Sequence, residues 1–219
     1  MGQASSMGWL ITFEGIEGCG KTTQARLAGE FLNRRQIPFI LTEEPGGTPL
    51  GKRIREMLLT KDRFEPCAKA ELLLFAADRA QHVREVIKPA LAGGKVVLCD
   101  RFIDATVAYQ GFGRGMDLDL IETLNVFATD SLRPDLTLLF DLPVETGLMR
   151  VKARTATKGL KAIDDRFEGK EQAFHRKVRE GYLQAAACEP DRFRIIDATG
   201  EISRIQGEVQ RCLAALLEG

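Results

Sequence analysis

The chain has 219 residues, of which 44% are hydrophobic, and this suits one α/β domain with a full core. Lysine and arginine (31) balance aspartate and glutamate (31), so the formal net charge is zero, which disfavours a nucleic-acid partner. No apolar run reaches the roughly 18 residues of a membrane span, so we expect no membrane association. The five cysteines are scattered, without CxxC pairs or zinc-ligand spacing, which predicts free thiols in a reducing cytoplasm.

The beginning of the chain differs in character from the remainder. Residues 1–8 lack the apolar segment of a signal peptide and contain little that could join a core. We expect them to be a disordered N-terminal extension, followed by a single domain over residues 9–219.

Short apolar runs typical of buried strands alternate with helical patterns along the domain. Strands are predicted at residues 9–14, 37–42, 96–100, 136–141 and 193–197. Helices are predicted at residues 21–35, 49–60, 68–91, 105–110, 117–130 and 203–217. This alternation favours an α/β fold of three layers, in which helices flank a five-stranded parallel sheet on both faces.

Residues 149–166 form a basic stretch with few apolar side chains. Its cations are Arg150, Lys152, Arg154, Lys158, Lys161 and Arg166. Such a run is ordinarily a solvated surface. The alternative is a mobile segment that closes over phosphates, and charge alone leaves both interpretations open.

Residues 15–22 read GIEGCGKT, which satisfies the phosphate-binding pattern G-x-x-x-x-G-K-[ST] between a predicted strand and a predicted helix. The glycines allow the backbone to turn its N–H groups toward anionic oxygens. The pattern predicts an ATP site made of Gly15, Ile16, Glu17, Gly18, Cys19, Gly20, Lys21, Thr22 and Thr23. Lys21 is expected at the β- and γ-phosphates. Thr22 and Asp100, which ends the third predicted strand, are expected to hold Mg²⁺.

Several kinds of protein share this loop. A GTPase switch is disfavoured, because the chain carries no N/TKxD segment for reading guanine. The size and the basic stretch suit a small kinase that closes on two nucleotides. Two alternatives stay open: a kinase for a deoxynucleoside or a different monophosphate, and a nucleotide-dependent switch or assembly ATPase.

Five segments of the chain distinguish between these kinds of protein better than the phosphate-binding loop does. They read FEGIEGCGKTTQ, EPGGTPLGKRIR, LLLFAADRAQH, DRF followed by AYQG, and RPDLTLLFDL. In this order and spacing the chain resembles the thymidylate kinase (dTMP kinase) family from about residue 9 to residue 217. The resemblance implies a P-loop NTPase fold of the nucleoside monophosphate kinase type and ATP-dependent phosphorylation of dTMP to dTDP in dTTP biosynthesis. It also implies Mg²⁺ as cofactor, a cytoplasmic location and a homodimer.

The resemblance further implies where the acceptor's phosphate and sugar would bind. Arg55 and Arg101 match the family's arginines for the acceptor phosphate, and guanidinium forks suit that contact. Glu17 matches the carboxylate that faces the 3′-hydroxyl. Tyr109 falls where a ring crowds the 2′ carbon and disfavours ribose.

The base pocket follows from the same matches. Phe75 resembles the ring that stacks on thymine, and Arg79, four residues later on the same helix face, resembles the donor to its carbonyl oxygen. Thr106 falls where the family bonds the base near N3, and Gln110 is expected to line the same pocket.

The lid completes the expected site. The P-loop interior has no basic residue, so the chain resembles the bacterial-type subclass in which lid arginines supply the missing charge. The resemblance implies a mobile lid at about residues 150–167, with Arg154 as its main arginine and Arg166 as a second. Lys21, Arg101 and Arg154 are then the expected catalytic cations.

Two features remained as separate expectations. Glu43 stands where some relatives have arginine, so any contact of that arginine is in doubt. Cys19 lies beside Lys21, where a cation and N–H groups favour a thiolate, so we expect a reactive thiol.

Overall fold

A computed structural model of the chain describes residues 8–59, 66–158 and 172–218, and a parallel sheet lies at its centre. Its strands are β1 (Leu10–Glu14), β2 (Phe39–Glu43), β3 (Val96–Asp100), β4 (Leu136–Asp141) and β5 (Phe193–Asp197). They pair in the order β2-β3-β1-β4-β5, every pair parallel. The predicted five-stranded parallel sheet is therefore confirmed: β3, β4 and β5 have the predicted boundaries, and those of β1 and β2 are shifted by one or two residues.

Helices cover both faces of the sheet. They are α1 (Lys21–Arg34), α2 (Pro49–Leu59), α3 (Ala68–His82), α4 (Lys88–Ala92), α5 (Ile103–Thr106), α6 (Leu118–Thr129), α7 (Val144–Lys158), α8 (Gln172–Cys188) and α9 (Ile202–Glu218). Two π-helical segments continue helices without a break: Val83–Ile87 joins α3 to α4, and Val107–Gly113 follows α5. None of the described helices has both the length and the apolar character needed to cross a membrane.

The central strands are buried because helices lie over both of their faces. All residues of β1 are buried, whereas the edge strands β2 and β5 are partly exposed. The register brings Asp100 opposite both Phe13 and Glu43 at the carboxyl ends of their strands. The loops that follow β1, β2 and β3 therefore meet at one edge, where ligands bind in open parallel sheets.

Two helices are absent from the sequence prediction. α7 runs from Val144 to Lys158, so the first part of the basic stretch, residues 149–158, is regular helix. α8 was not predicted, although its inward face carries Val178, Tyr182 and Ala186 beside His175 and Gly181. Arg166, the other lid residues beyond 158 and the predicted extension up to residue 7 lie outside the described residues.

Candidate active site

The loop between β1 and α1 has the backbone shape that a phosphate site needs. Gly18 and Gly20 adopt positive φ angles of 76° and 92°, a region that side-chain-bearing residues rarely enter. A Cβ at Gly18 would also lie 2.3 Å from the carbonyl oxygen of Gly147, so α7 packs directly on the loop. Lys21 is buried, and its Nζ donates to the Ile16 carbonyl at 3.2 Å, which curls the side chain over the loop.

Thr22 and Asp100 come together at the start of α1 and the end of β3. The Thr22 hydroxyl donates to Asp100 Oδ2. Hydroxyl and carboxylate oxygens are suitable ligands for Mg²⁺, which usually keeps several waters and takes its other ligands from substrate phosphates. Within the described ranges no cluster of three or more carboxylate, imidazole or thiol groups could hold a metal alone. A shared site with the nucleotide fits this chemistry better than a closed protein cage.

Glu17, inside the P-loop, is held by side chains from three other segments. Its Oε1 accepts from the Tyr109 hydroxyl at 2.6 Å and from Arg101 Nη2 at 3.1 Å, and His175 Nδ1 lies 3.3 Å from Oε2. Burial alone would raise the pKa of Glu17. The contact with His175 and the charges of Arg101 and Lys21 outweigh it and hold that pKa well below its usual range. Glu17 is therefore a fixed anion facing the cavity.

Arg101 is fixed from behind. Its backbone has φ = 70°, a strained conformation for a residue with a side chain, and such strain is concentrated at functional sites. Its Nη1 donates to Tyr182 at 3.1 Å, and Tyr182 in turn donates to Glu14 at 2.8 Å. Its guanidinium also lies 4.7 Å from the centre of the Tyr109 ring. The guanidinium thus has a defined position before any substrate arrives.

Arg55 also reaches the cavity, but along a different wall. Its Nη1 donates to the Pro45 carbonyl at 2.7 Å and to Glu43 Oε2 at 3.1 Å. Glu43, which stands where some relatives have arginine, is therefore the partner of Arg55 in this chain. Both side chains are partly exposed, so this ion pair is weak and can yield to a phosphate.

Phe75 and Arg79 share a face of α3, as their spacing predicted, and both line the cavity. Arg79 is buried and donates to Glu44 from Nε, to Thr106 and Asn125 from Nη1, and to the Phe102 carbonyl from Nη2. A guanidinium has five N–H groups. These contacts with the described part of the chain use four of them, which leaves one at Nη2 for an acceptor on a ligand.

One cavity at the carboxyl edge of the sheet collects these groups. Its lining includes Glu17, Lys21, Thr22, Arg55, Phe75, Arg79, Asp100, Arg101, Thr106, Tyr109, Gln110 and Arg154. Arg154 reaches it from α7, whose contact with the P-loop fixes the helix near Gly147. One cavity is therefore lined by the residues predicted to bind the acceptor, by Lys21 and by Arg154. Several polar groups that converge on one cavity are typical of a ligand site.

Comparison with known proteins identifies the family. The family model for thymidylate kinase matches residues 13–209 of the chain. The chain belongs to the thymidylate kinase family.

Relatives support this assignment over nearly the whole length. The thymidylate kinase of Syntrophus aciditrophicus (strain SB) is 57% identical over 210 residues, which cover 96% of each chain. That of Desulfosudis oleivorans is 52% identical over 206 residues, covering 94% of this chain and 95% of the relative. The crystal structure of thymidylate kinase from Ehrlichia chaffeensis superposes with a TM-score of 0.72 at 34% identity, covering 94% of this chain and 99% of the other.

One expectation about the P-loop is wrong. Cys19 is buried, and burial raises the pKa of its thiol despite the nearby positive charge of Lys21. The sequence shows the cation beside Cys19, but the loss of solvent, which has the larger effect, depends on the packed fold. Cys19 is therefore an unreactive apolar contact of the P-loop.

Three further groups around this cavity were not found from the sequence. His175 and Tyr182 project from α8, which was not predicted, and reach Glu17 and Arg101 respectively. Glu14 lies in β1 and accepts from the Phe102 backbone N–H at 2.6 Å. A buried carboxylate at the end of an apolar strand run was the only available signal for Glu14. The partners of these side chains are set by tertiary packing.

Proposed function

We propose that this enzyme transfers the γ-phosphoryl group of ATP to dTMP in the cavity described above, producing ADP and dTDP. Family membership over residues 13–209 supports the reaction. The observation that carries the assignment of the site is the convergence of a P-loop lysine with a pocket that combines Phe75, Arg79 and Arg101. In our assignment residues 15–23 bind the phosphates of ATP, and the far end of the cavity binds dTMP.

The acceptor lies with its base toward α3 and its phosphate toward Lys21. Phe75 offers a ring for stacking on thymine, and the remaining N–H of Arg79 points to a base carbonyl. At the other end Arg55 and Arg101 neutralise the acceptor phosphate. Glu17 remains ionised and accepts a hydrogen bond from the 3′-hydroxyl of dTMP.

Catalysis then rests on positioning and on charge. The attacking oxygen of dTMP is already ionised at neutral pH, so the reaction requires no strong general base. Lys21 and Arg101 hold the two phosphates in line, and Arg154 covers the oxygens of the transferring group. Because Arg101 is already fixed by Tyr182 and Tyr109, little reorganisation accompanies the transfer.

Mg²⁺ is the cofactor we propose for the site at Thr22 and Asp100. When bound, the ion neutralises developing charge on the β- and γ-phosphate oxygens. Thr22 would supply its hydroxyl oxygen, and Asp100 would orient the surrounding waters. Thr22 donates its proton to Asp100, which leaves the lone pairs of its hydroxyl oxygen available to the ion.

We also propose a homodimer. The helices α3 and α6 pack side by side and expose Leu73, Leu120 and Phe127, of which Phe127 is 80% exposed. Large apolar side chains exposed together are typical of protein interfaces. Light scattering should report twice the chain mass, and Phe127→Asp should shift the protein to monomer. A wild-type monomer at micromolar concentration would contradict the proposal.

A cytoplasmic location is proposed for the same enzyme. All five cysteines are free, which suits a reducing compartment. Fluorescence from a tagged copy in the source cell should fill the cytoplasm, and enrichment in the envelope fraction would contradict the proposal.

One coupled assay of ADP release tests the reaction against its rivals. The acceptors are dTMP, dUMP, UMP, CMP, AMP and thymidine. We expect dTMP to have the highest kcat/KM, followed by dUMP. Equal or better kcat/KM with CMP or AMP would overturn the choice of acceptor. Best activity with thymidine would indicate a nucleoside kinase, and ATP hydrolysis that is independent of any acceptor would indicate a switch or assembly ATPase.

A further inference from the structure

An ion pair with a fully buried carboxylate and a partly buried arginine lies behind the proposed base pocket and has no part in the reaction described so far. Glu71, in the first turn of α3, is fully buried, and Arg114 donates to both of its oxygens, from Nε at 2.9 Å and from Nη2 at 2.7 Å. Glu71, Phe75 and Arg79 are four residues apart in succession, so they share one face of α3. The pair therefore belongs to the same wall as the residues proposed to contact the base.

The same carboxylate also binds Gln110. Gln110 Nε2 donates to Glu71 Oε1 at 3.0 Å, and Gln110 lines the cavity from the π-helical segment after α5. An ionised carboxylate can only accept hydrogen bonds, whereas an amide can present either its NH₂ or its carbonyl. Glu71, whose two oxygens both accept from the Arg114 fork, therefore takes the NH₂ of Gln110 and not its carbonyl. The carbonyl oxygen Oε1 is left as the polar atom that Gln110 offers to the cavity.

This orientation gives the pocket a defined pattern of donors and acceptors. Arg79 supplies an N–H donor, and Gln110 supplies a carbonyl acceptor. Thymine and uracil present the complement, an O4 acceptor beside an N3–H donor. Cytosine presents the reverse, an N4 amino donor beside an unprotonated N3 acceptor. A flipped Gln110 amide would remove this distinction, because its NH₂ would favour the N3 of cytosine.

We propose that Glu71 and Arg114 are a positioning pair that fixes the Gln110 amide with Oε1 toward the base, and so favours thymine and uracil over cytosine. The inference rests on the base pocket proposed above. Replacing buried ion pairs with apolar residues is often neutral or stabilising, so stability alone gives little reason for this pair. The two orientations of an amide have nearly the same shape, so packing alone does not select one of them. Selecting the orientation of the Gln110 amide is therefore a role that this ion pair can have.

The test compares dUMP with dCMP, which differ only along this edge of the base and both lack the 5-methyl group. Inhibition constants for each against dTMP are measured in wild type, Glu71→Gln, Gln110→Leu and the double variant. We expect the preference for dUMP to fall roughly tenfold in Glu71→Gln, the size of one hydrogen-bond preference. In the Gln110→Leu background the Glu71 change should have no further effect, since the amide is gone.

Two further variants separate positioning from general damage. Asp141→Asn breaks another bidentate pair, with Arg179, and should lower the melting temperature without changing the dUMP preference. If Glu71→Gln does not fold, Glu71→Gln/Arg114→Met leaves no unpaired buried charge and should show the same loss of preference. An unchanged preference in the folded Glu71 variant would overturn the positioning role. No preference in wild type, or none lost in Gln110→Leu, would instead overturn the base pocket.

Discussion

Tyr109 combines two roles that a pair of substitutions can separate. Its hydroxyl donates to Glu17 at 2.6 Å and accepts from Arg101 at 3.1 Å. Its ring is 5% exposed, lines the cavity and lies in edge contact with Phe174 and Tyr182. The hydroxyl is therefore part of the network that fixes two charged groups, while the ring is a rigid wall placed to exclude a 2′-hydroxyl.

Tyr109→Phe keeps the ring and removes the hydroxyl. A hydrogen bond to a charged group is worth about 1.5–3 kcal/mol. Glu17 keeps its contact with Arg101, and Arg101 keeps Tyr182, so we expect the lower end of that range. This corresponds to a fall of about tenfold in kcat/KM for dTMP. The preference for deoxyribose should stay within about twofold of wild type, because the ring remains.

Tyr109→Ala removes both parts. Pockets that exclude a group of about this size discriminate by roughly 10- to 200-fold, so the ratio of kcat/KM for dUMP over UMP should fall by at least about tenfold. The assay measures this ratio in wild type and both variants, using coupled ADP release. An unchanged ratio in the alanine variant would show that Tyr109 is not the sugar gate. An equal fall in the phenylalanine variant would refute the division between ring and hydroxyl.

Three other predictions concern the lid, the thiols and stability. Arg154→Ala should lower kcat roughly 10- to 10³-fold with little change in melting temperature, and Arg154→Lys should recover little of it; near wild-type kcat at saturating substrates would remove Arg154 from catalysis. Iodoacetamide should label the exposed Cys67 and Cys188 before Cys19 in a peptide mass map, and rapid labelling of Cys19 in the folded enzyme would contradict its burial. Burial and the charge of Asp104 raise the pKa of Glu14 from 4.5 to about 8. Its contribution to stability should be complete below pH 4.5 and decline up to about pH 8, by at most about 1.4 kcal/mol per pH unit. Glu14→Gln should flatten that part of the unfolding free energy measured in urea, and parallel curves would contradict the shifted pKa.

The parts that the sequence predicted well are those governed by local patterns. The P-loop was identified from Gly15, Gly20 and Lys21, because positive φ angles and a phosphate lysine require particular residue types at fixed spacing. The central strands β1, β3 and β4 were found because burial on both faces requires short apolar runs, and the partly exposed edge strands β2 and β5 still carry enough apolar residues to give the same signal. Phe75 and Arg79 were predicted from the resemblance to the family, and the structure places both in the wall of one cavity. An isolated apolar run would have assigned Phe75 to the core.

The parts that were missed depend on contacts between distant segments. Tyr182 is 81 residues from Arg101, and Glu17 is 92 residues from Tyr109. The helix that carries His175 and Tyr182 also packs Val178 and Ala186 into the hydrophobic core, so one helix serves both the core and the site. Which of its side chains reach the site is decided by this packing, and an apolar pattern alone does not show it.

The structure also changes what the charged residues of the site are expected to do. The sequence suggested Arg79 as a donor to a base carbonyl, and the structure shows that most of its guanidinium is already occupied by Glu44, Thr106 and Asn125. Its four contacts with the described residues leave one N–H for the base, so the groups that Arg79 already binds determine which ligand atom it can contact. The same reasoning assigns the carbonyl of Gln110 to the base and the NH₂ to Glu71. Discrimination between bases in this pocket therefore depends on buried residues that never touch the substrate.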